Sequence, residues 1–265
     1  MQKQDVGEKT GKVVGRSISL SLPRRIMGDL LAFASTIPTV PVQRRMNIAR
    51  VVAARARLAP HAPGWVALFT KAYAITALRC PQLRRAYLSF PRPHLYQHPF
   101  SIASIAVERE YEGENAVFWG HLRRPEQQSL RELHTQLRRF KEAPLRSFGL
   151  VRRMLLVGRF PRPLRRLAWW LGLNFSGRKR AAYMGTFGIS VYSGLGSESL
   201  HPISPLTTTM NYGTIDADGG VTVRIVYDHR VLDDAIVARV LACLEGVLNQ
   251  EIVAELEQEP HLRAA

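Results

Sequence analysis

Residues 207–244 leave this chain few ways to fold. Thr207 to Ile215 and Val221 to Tyr227 both read as strands, and Asp218-Gly219-Gly220 between them is a tight-turn signal that joins them as a hairpin. In the second strand Val223, Ile225 and Tyr227 alternate with Arg224 and Val226. From Ala235 to Leu244 the apolar residues recur with the period of a helix, which is expected to run from about Asp234 to Glu251. At the strand-to-helix junction stands His229, with Asp233 four residues on at the mouth of the helix. Backbone on both sides holds such a histidine, and an ordinary imidazole pKa of about 6.5 suits a general base near neutral pH. The same position equally suits a histidine that only hydrogen-bonds inside its turn. Asp233, just before Asp234-Ala235, fits a helix cap.

The remaining pattern predicts a mixed α/β domain whose helices cover one side of a largely antiparallel or mixed sheet. Ser17 to Leu22 alternates as a strand, Pro23 opens a helix continuing to Ala34, and Val40 to Val52 is strand-like. Gly64 to Arg79 is an amphipathic helix. Ser101 to Val107 and Ala116 to Leu122 are strands around the turn Tyr111 to Asn115. Ser129 and Glu132 have capping-box spacing at the start of a helix reaching Phe140. Thr186 to Val191 is a further strand. The expected organisation is a tail over 1–16, one domain over 17–255 with an insertion at about 143–182, and a tail over 256–265.

A chain of 265 residues that is 46% hydrophobic can bury a sizeable core. No apolar run suggests a membrane span, the polar start lacks the apolar centre of a secretory signal, and Cys80 and Cys243 show neither disulfide nor metal-ligand spacing. The expected compartment is the cytoplasm, and no metal is expected. The net charge of +16 is concentrated: between Arg138 and Arg180 thirteen basic residues face the single acid Glu142. From Ala143 to Ala182, Leu, Met, Phe and Trp are set among these arginines, with Pro161-Arg162-Pro163 as a break, which predicts two short basic amphipathic helices around a proline hinge. Arginines such as Arg152, Arg153, Arg165 and Arg166 beside Trp169 and Trp170 have the composition of an interfacial membrane helix. They fit equally an insertion packed on the core or across a subunit contact. Nucleic acid is disfavoured, because no recognition motif accompanies the basic run.

Tyr227-Asp228-His229-Arg230-Val231-Leu232-Asp233 resembles the active-site signature of the 2-oxo acid dehydrogenase acyltransferases, the dihydrolipoamide acyltransferase cores, whose fold chloramphenicol acetyltransferases share. Thr186-Phe187-Gly188-Ile189-Ser190-Val191 and Leu200-His201-Pro202-Ile203 resemble two further segments of that family. So do Arg24-Arg25-Ile26 with Thr36-Ile37-Pro38, and Leu68 to Ala72 with Pro81-Gln82-Leu83. The matches stand in the family's order and cover about residues 17–142 and 183–250.

The resemblance implies a two-layer chloramphenicol acetyltransferase-like fold and a homotrimer in which His229 of one subunit faces Ser190 of the next. It implies His229 as general base, Ser190 as hydroxyl donor to the oxyanion, and Asp233 as an architectural residue salt-bridged to Arg25 or Arg24. Asp228 and Arg230 become structural supports. Read from the strand alone, Ser190 is a serine satisfied by neighbouring backbone; Ser193 and Ser197 are nearby substitutes. Two departures stand out. The family has glycine where this chain has Asp234, and the stretch before Ser17 is too short for the lipoyl and subunit-binding domains of the dehydrogenase acyltransferases. A coenzyme A thioester is therefore the expected acyl donor, as co-substrate with no permanently bound cofactor, and the acceptor a hydroxyl, amine or thiol of a small or lipid-like molecule. The second expectation is a catalytically silent trimer docking on anionic membrane through the basic insertion, which would place the chain at the inner face of the membrane.

Overall fold

The computed structural model describes residues 15–191 and 197–258. A six-stranded mixed sheet forms its centre, in the order β1 (Thr39–Asn47), β8 (Gly220–Asp228), β7 (Thr208–Tyr212), β6 (Phe187–Ile189), β4 (Ile102–Tyr111), β5 (Glu114–Arg123). The β4–β6 and β6–β7 pairs are parallel and the others antiparallel. The two hairpin signals hold. Glu112 and Gly113 both adopt positive φ between β4 and β5, and Gly219 has φ +84° before β8.

Alternation along the strands gives the sheet two faces. One carries Ile105, Phe187, Ile189, Met210, Val223, Ile225 and Tyr227 into the main core, against α2 (Ala49–Ala56), α3 (Trp65–Arg79), α4 (Leu130–Glu142), α8 (Asp234–Val247) and α9 (Val253–Gln258). Phe69 stacks on Tyr212 and Tyr73 on Phe187, with centroids 4.0 and 4.3 Å apart, and the buried Tyr73 hydroxyl donates to Thr208 Oγ1 at 2.6 Å. α3 is buried almost all round rather than amphipathic, because sheet and helices enclose it; even Lys71 is buried, its Nζ paired with Glu255. Ser129 and Glu132 complete the expected capping box.

Part of the other face is also covered, beyond the single helical layer expected. α1 (Leu22–Ala34), α5 (Gly149–Gly158), α6 (Arg162–Asn174) and α7 (Gly177–Met184) lie over it, with Leu30, Leu173, Met184 and Leu206 packed together beside Trp119. The insertion thus holds a third helix, α7, past the two expected around the proline break. Gly185, at φ +84°, returns the chain to the sheet so closely that a Cβ would stand 2.8 Å from the Ile102 carbonyl oxygen. The insertion is pinned to α1 by a buried fork: Arg165 gives Nε to Asp29 Oδ2 and Nη2 to Asp29 Oδ1 at 3.3 Å.

Other boundaries also moved. Residues 17–21 are coil, with Ser21 capping α1. The strand expected over 40–52 ends at Asn47 and gives way to α2. β2 (Arg85–Leu88) and β3 (His94–Gln97) make a small separate ribbon. The last helix passes through a π turn at Leu248–Ile252 into α9.

Two predictions follow from buried charge. Replacing Asp29 with Ala leaves Arg165 unpaired in the interior, and chemical denaturation is expected to show a loss of about 3 kcal/mol, more than for the isosteric Arg165→Met with Asp29→Leu double variant. The second concerns His98 and His121, whose imidazoles burial pushes down to about 4, assisted at His98 by Arg180 and Arg84. Their protons bind the unfolded chain first, so stability is full above pH 6.5 and falls as pH drops towards 4. His121→Gln is expected to remove about 3 kcal/mol of that acid-side loss, read from denaturation midpoints across the window.

Candidate active site

Asp228 ends β8 fully buried, where its carboxylate is taken up by the residue two places on. Oδ1 accepts from Arg230 N at 3.0 Å and Nε at 2.9 Å, and Oδ2 accepts from Nη2 at 2.8 Å. The Asp228 carbonyl accepts from Val231 N and Leu232 N, closing the turn. The Arg230 guanidinium stacks on Tyr87 at 4.3 Å. With Asp228 buried and the Arg230 guanidinium turned back onto it, His229 between them stands out of the turn, its backbone N–H donating to the Pro38 carbonyl at 3.0 Å and its side chain 46% exposed.

The imidazole has a defined tautomer. Nδ1 lies 3.1 Å from the Leu232 carbonyl oxygen, which can only accept, so the proton sits on Nδ1. Asp233 Oδ1, 3.7 Å away, favours the same tautomer. In the neutral ring Nε2 therefore carries the lone pair, the arrangement a general base requires.

Asp233 occupies the N-cap position of α8 with extended backbone, but its side chain makes no capping bond. The arginines expected to bridge it are engaged elsewhere: Arg24 Nε pairs with Glu114 at 2.6 Å, and Arg25 Nε donates to the Leu20 carbonyl at 3.0 Å. α1 packs beside α5, α6 and β5, so both residues sit on the insertion side of the molecule. Asp234, which stands where the resembled signature has glycine, accepts from the hydroxyl of the buried Tyr227. That phenol is held well above its ordinary value by burial and then by this carboxylate. The substitution thus gives a buried hydroxyl its partner, and a carboxylate in the first turn suits the helix dipole.

Ser190 lies just past β6, its N–H donating to Met210 O at 3.1 Å. That places it level with Asn211, whose partner across the next pair is Arg224, five residues before His229. The two side chains of one chain are thus separated by about 17 Å along the strands alone. A single chain does not bring them together. Of the substitutes, Ser197 is exposed and Ser193 lies outside the described residues. Beside Ser190, a cavity of about 200 Å³ is lined by Gly188, Ser199, Ser204 and Thr209. Arg224 Nη1, at 2.8 Å, and Asn211 both donate to the Ser199 carbonyl and hold that segment in place.

Two residues near His229 escaped sequence reasoning. Tyr87 offers no local motif. Arg180 sits in the insertion, yet is buried, donates to the Leu173 and Pro205 carbonyls, and is near enough to Asp228 and Arg230 to feel both charges. Burial holds its guanidinium down to about 10. Within the basic run the structure corrects the surface role expected of Arg165, which is buried against Asp29. Arg166 is exposed with Asp29 at 3.9 Å, and Arg152 and Arg153 are exposed. Trp169 turns inward, whereas Trp170 faces out.

No protein-family model matches the sequence, and no curated protein does. Solved structures do. The dihydrolipoamide acetyltransferase of Azotobacter vinelandii matches with a TM-score of 0.69 at 18% identity, over 96% of this chain and 98% of that one. In that enzyme the residues probed for a catalytic role are a serine, a histidine and an asparagine four places after the histidine. The cubic core of a pyruvate dehydrogenase multienzyme complex matches with a TM-score of 0.64 at 19% identity, over 96% and 98% of the two chains. The probable dihydrolipoamide acetyltransferase of Listeria monocytogenes gives 0.65 at 16% identity, over 89% and 95%. The chain has the fold of the catalytic cores of the 2-oxo acid dehydrogenase acyltransferases, as Thr186 to Val191 and Tyr227 to Asp233 led us to expect.

Proposed function

We propose that this protein is an acyltransferase that moves an acyl group from a coenzyme A thioester to a hydroxyl, amine or thiol of a small or lipid-like acceptor. The observation that carries the reading is the His229 ring: 46% exposed, its Nδ1 directed at the Leu232 carbonyl, its Nε2 without a hydrogen-bond partner among the described residues. Nε2 takes the acceptor's proton as the acceptor attacks the thioester carbonyl, and returns it to the departing sulfur. The oxyanion formed on attack needs a fixed donor, and Ser190 is the residue assigned to it. Because one chain holds the two groups about 17 Å apart along the strands, the site is completed between protomers, His229 from one and Ser190 from its neighbour in a trimer. Asp233 stands where the Azotobacter enzyme has its asparagine, and here backs the histidine tautomer.

A second reading, a catalytically silent trimer docked on anionic membrane, has its own support. No helix among the described residues is long and apolar enough to cross a membrane. Yet Leu156, Leu164, Leu167, Trp170, Leu171 and Phe175 are all exposed, set among the exposed Arg152, Arg153 and Arg166.

Two tests separate these readings. In an acyl-CoA turnover assay, His229→Ala is expected to lower the rate about 10²–10⁴-fold and Ser190→Ala about 10²–10³-fold. Co-expressing the two inactive variants should restore part of the activity; equal turnover of wild type and His229→Ala would reject the base. Flotation with liposomes should retain the protein on anionic but not neutral lipid, and retention on neither would remove membrane docking.

A further inference from the structure

The second face of the sheet holds more empty space than packing requires. Between α5, α6, α7 and the strands lies a cavity of about 570 Å³, within the usual range for small-molecule sites of about 300–1,000 Å³. Met154, Val157, Ala168, Trp169, Leu173 and Met184 give it an apolar wall, and the helices that make it belong to the insertion save for the last turn of α7. Its outer end is formed by Leu156, Phe160, Leu171 and Phe175, the same residues that are exposed on the surface, so the cavity opens on an apolar patch.

The inner end is different. Ser104 and Trp119 line this cavity and also the smaller one that contains Ser190, so the two meet at these side chains. Ser104 is 2% exposed and its hydroxyl has no hydrogen-bond partner among the described residues; the Thr209 hydroxyl in the smaller cavity and the Trp169 indole N–H in the larger are likewise buried and without a partner among them. Unmatched polar atoms in native interiors are uncommon and cost about 1–3 kcal/mol each. Ser104 and Thr209 line the cavity that holds Ser190, where the polar thioester, and not its alkyl chain, can supply a partner.

We infer that the insertion forms an acyl-chain pocket, and that the donor of the site between Ser190 and His229 is a long-chain acyl-CoA. The inference rests on the acyltransferase reading and names its substrate class. The tail lies in the larger cavity, passes Ser104 and Trp119, and puts the thioester carbonyl beside Ser190. The acceptor's lone pair then forms the new bond to the carbonyl carbon and the C–S bond breaks. The acceptor's proton passes by way of His229 Nε2 to the sulfur of coenzyme A. A linear chain is the occupant that two cavities in series, joined at a pair of side chains, accept best; a short acyl group leaves the larger cavity empty.

The test pairs binding with turnover. The inert thioethers S-ethyl-CoA and S-hexadecyl-CoA are titrated by calorimetry, and acetyl-, octanoyl- and palmitoyl-CoA are compared as donors. Each buried methylene favours binding by about 0.8 kcal/mol, so S-hexadecyl-CoA is expected to bind at least about 100-fold tighter than S-ethyl-CoA. Ala168→Phe fills the cavity and should cut the hexadecyl-to-ethyl ratio at least about tenfold, with Met154→Trp as a second filling variant if the first fails to fold. Chain-length-dependent binding without turnover of any donor keeps the pocket and rejects the catalytic reading. Turnover of all three donors with one kcat/KM, and equal binding of both thioethers, keeps the catalytic reading and overturns the pocket. A chain-length ratio unchanged by both filling variants places the chain on the outer patch and also overturns it.

Discussion

The grip of Arg230 on the Asp228 carboxylate is the contact on which the rest of the candidate site depends. A carboxylate at the end of a central strand, wholly out of water, is tolerable only with charge and hydrogen bonds supplied together, and the guanidinium and the backbone N–H two residues on supply both. Satisfying it bends the chain, and the bend decides where the intervening side chain goes. His229 stands outward while Asp228 is buried and Arg230 turns its guanidinium back onto that carboxylate. Its own ring nitrogen then meets the Leu232 carbonyl of the same turn, which fixes the proton. One short sequence thus settles fold, exposure and ring tautomer at once.

The sheet register does the complementary work. Parallel pairing of β6 with β7 and antiparallel pairing of β7 with β8 hold Ser190 about five residues, or about 17 Å, from His229 along the strands. No loop rearrangement in one chain closes such a gap, because both residues are tied to strands by backbone hydrogen bonds, Ser190 to Met210 and His229 to Pro38. The covered second face adds a further division. The main core on the other side is continuous from β1 to the α4–α9 layer, so the insertion can be built and altered without disturbing it.

Much of this was legible in the residues. Period-two apolar runs and glycine turns placed the hairpins, and the capping box marked α4, because these signals act over a few neighbours. The motif around His229 was readable for the same reason: Asp228, Arg230, Leu232 and Asp233 all act within five residues of one another. What was not legible depends on distant packing. Arg165 looked like one more surface arginine until Asp29, far off in sequence, was brought beneath it. Arg180 and Tyr87 reach the turn from separate elements. Residues 64–79 read as an amphipathic helix because nothing local announces that Glu255 and α9 will cover Lys71 on its other side. Asp234 looked like a disturbance to a glycine site, and proved to answer the hydroxyl of Tyr227 seven residues earlier.

The insertion's positive charge is of two kinds, and they answer differently to ionic strength. Arg165 and Arg180 are enclosed, matched to Asp29 and to carbonyl oxygens, where dissolved ions do not reach them. Arg152, Arg153 and Arg166 stand in solvent, where fields fade over about 8 Å at physiological ionic strength. Brine would therefore silence the outward guanidiniums while leaving the scaffold beneath them intact. Whatever anionic surface they meet can be released without the helices coming loose.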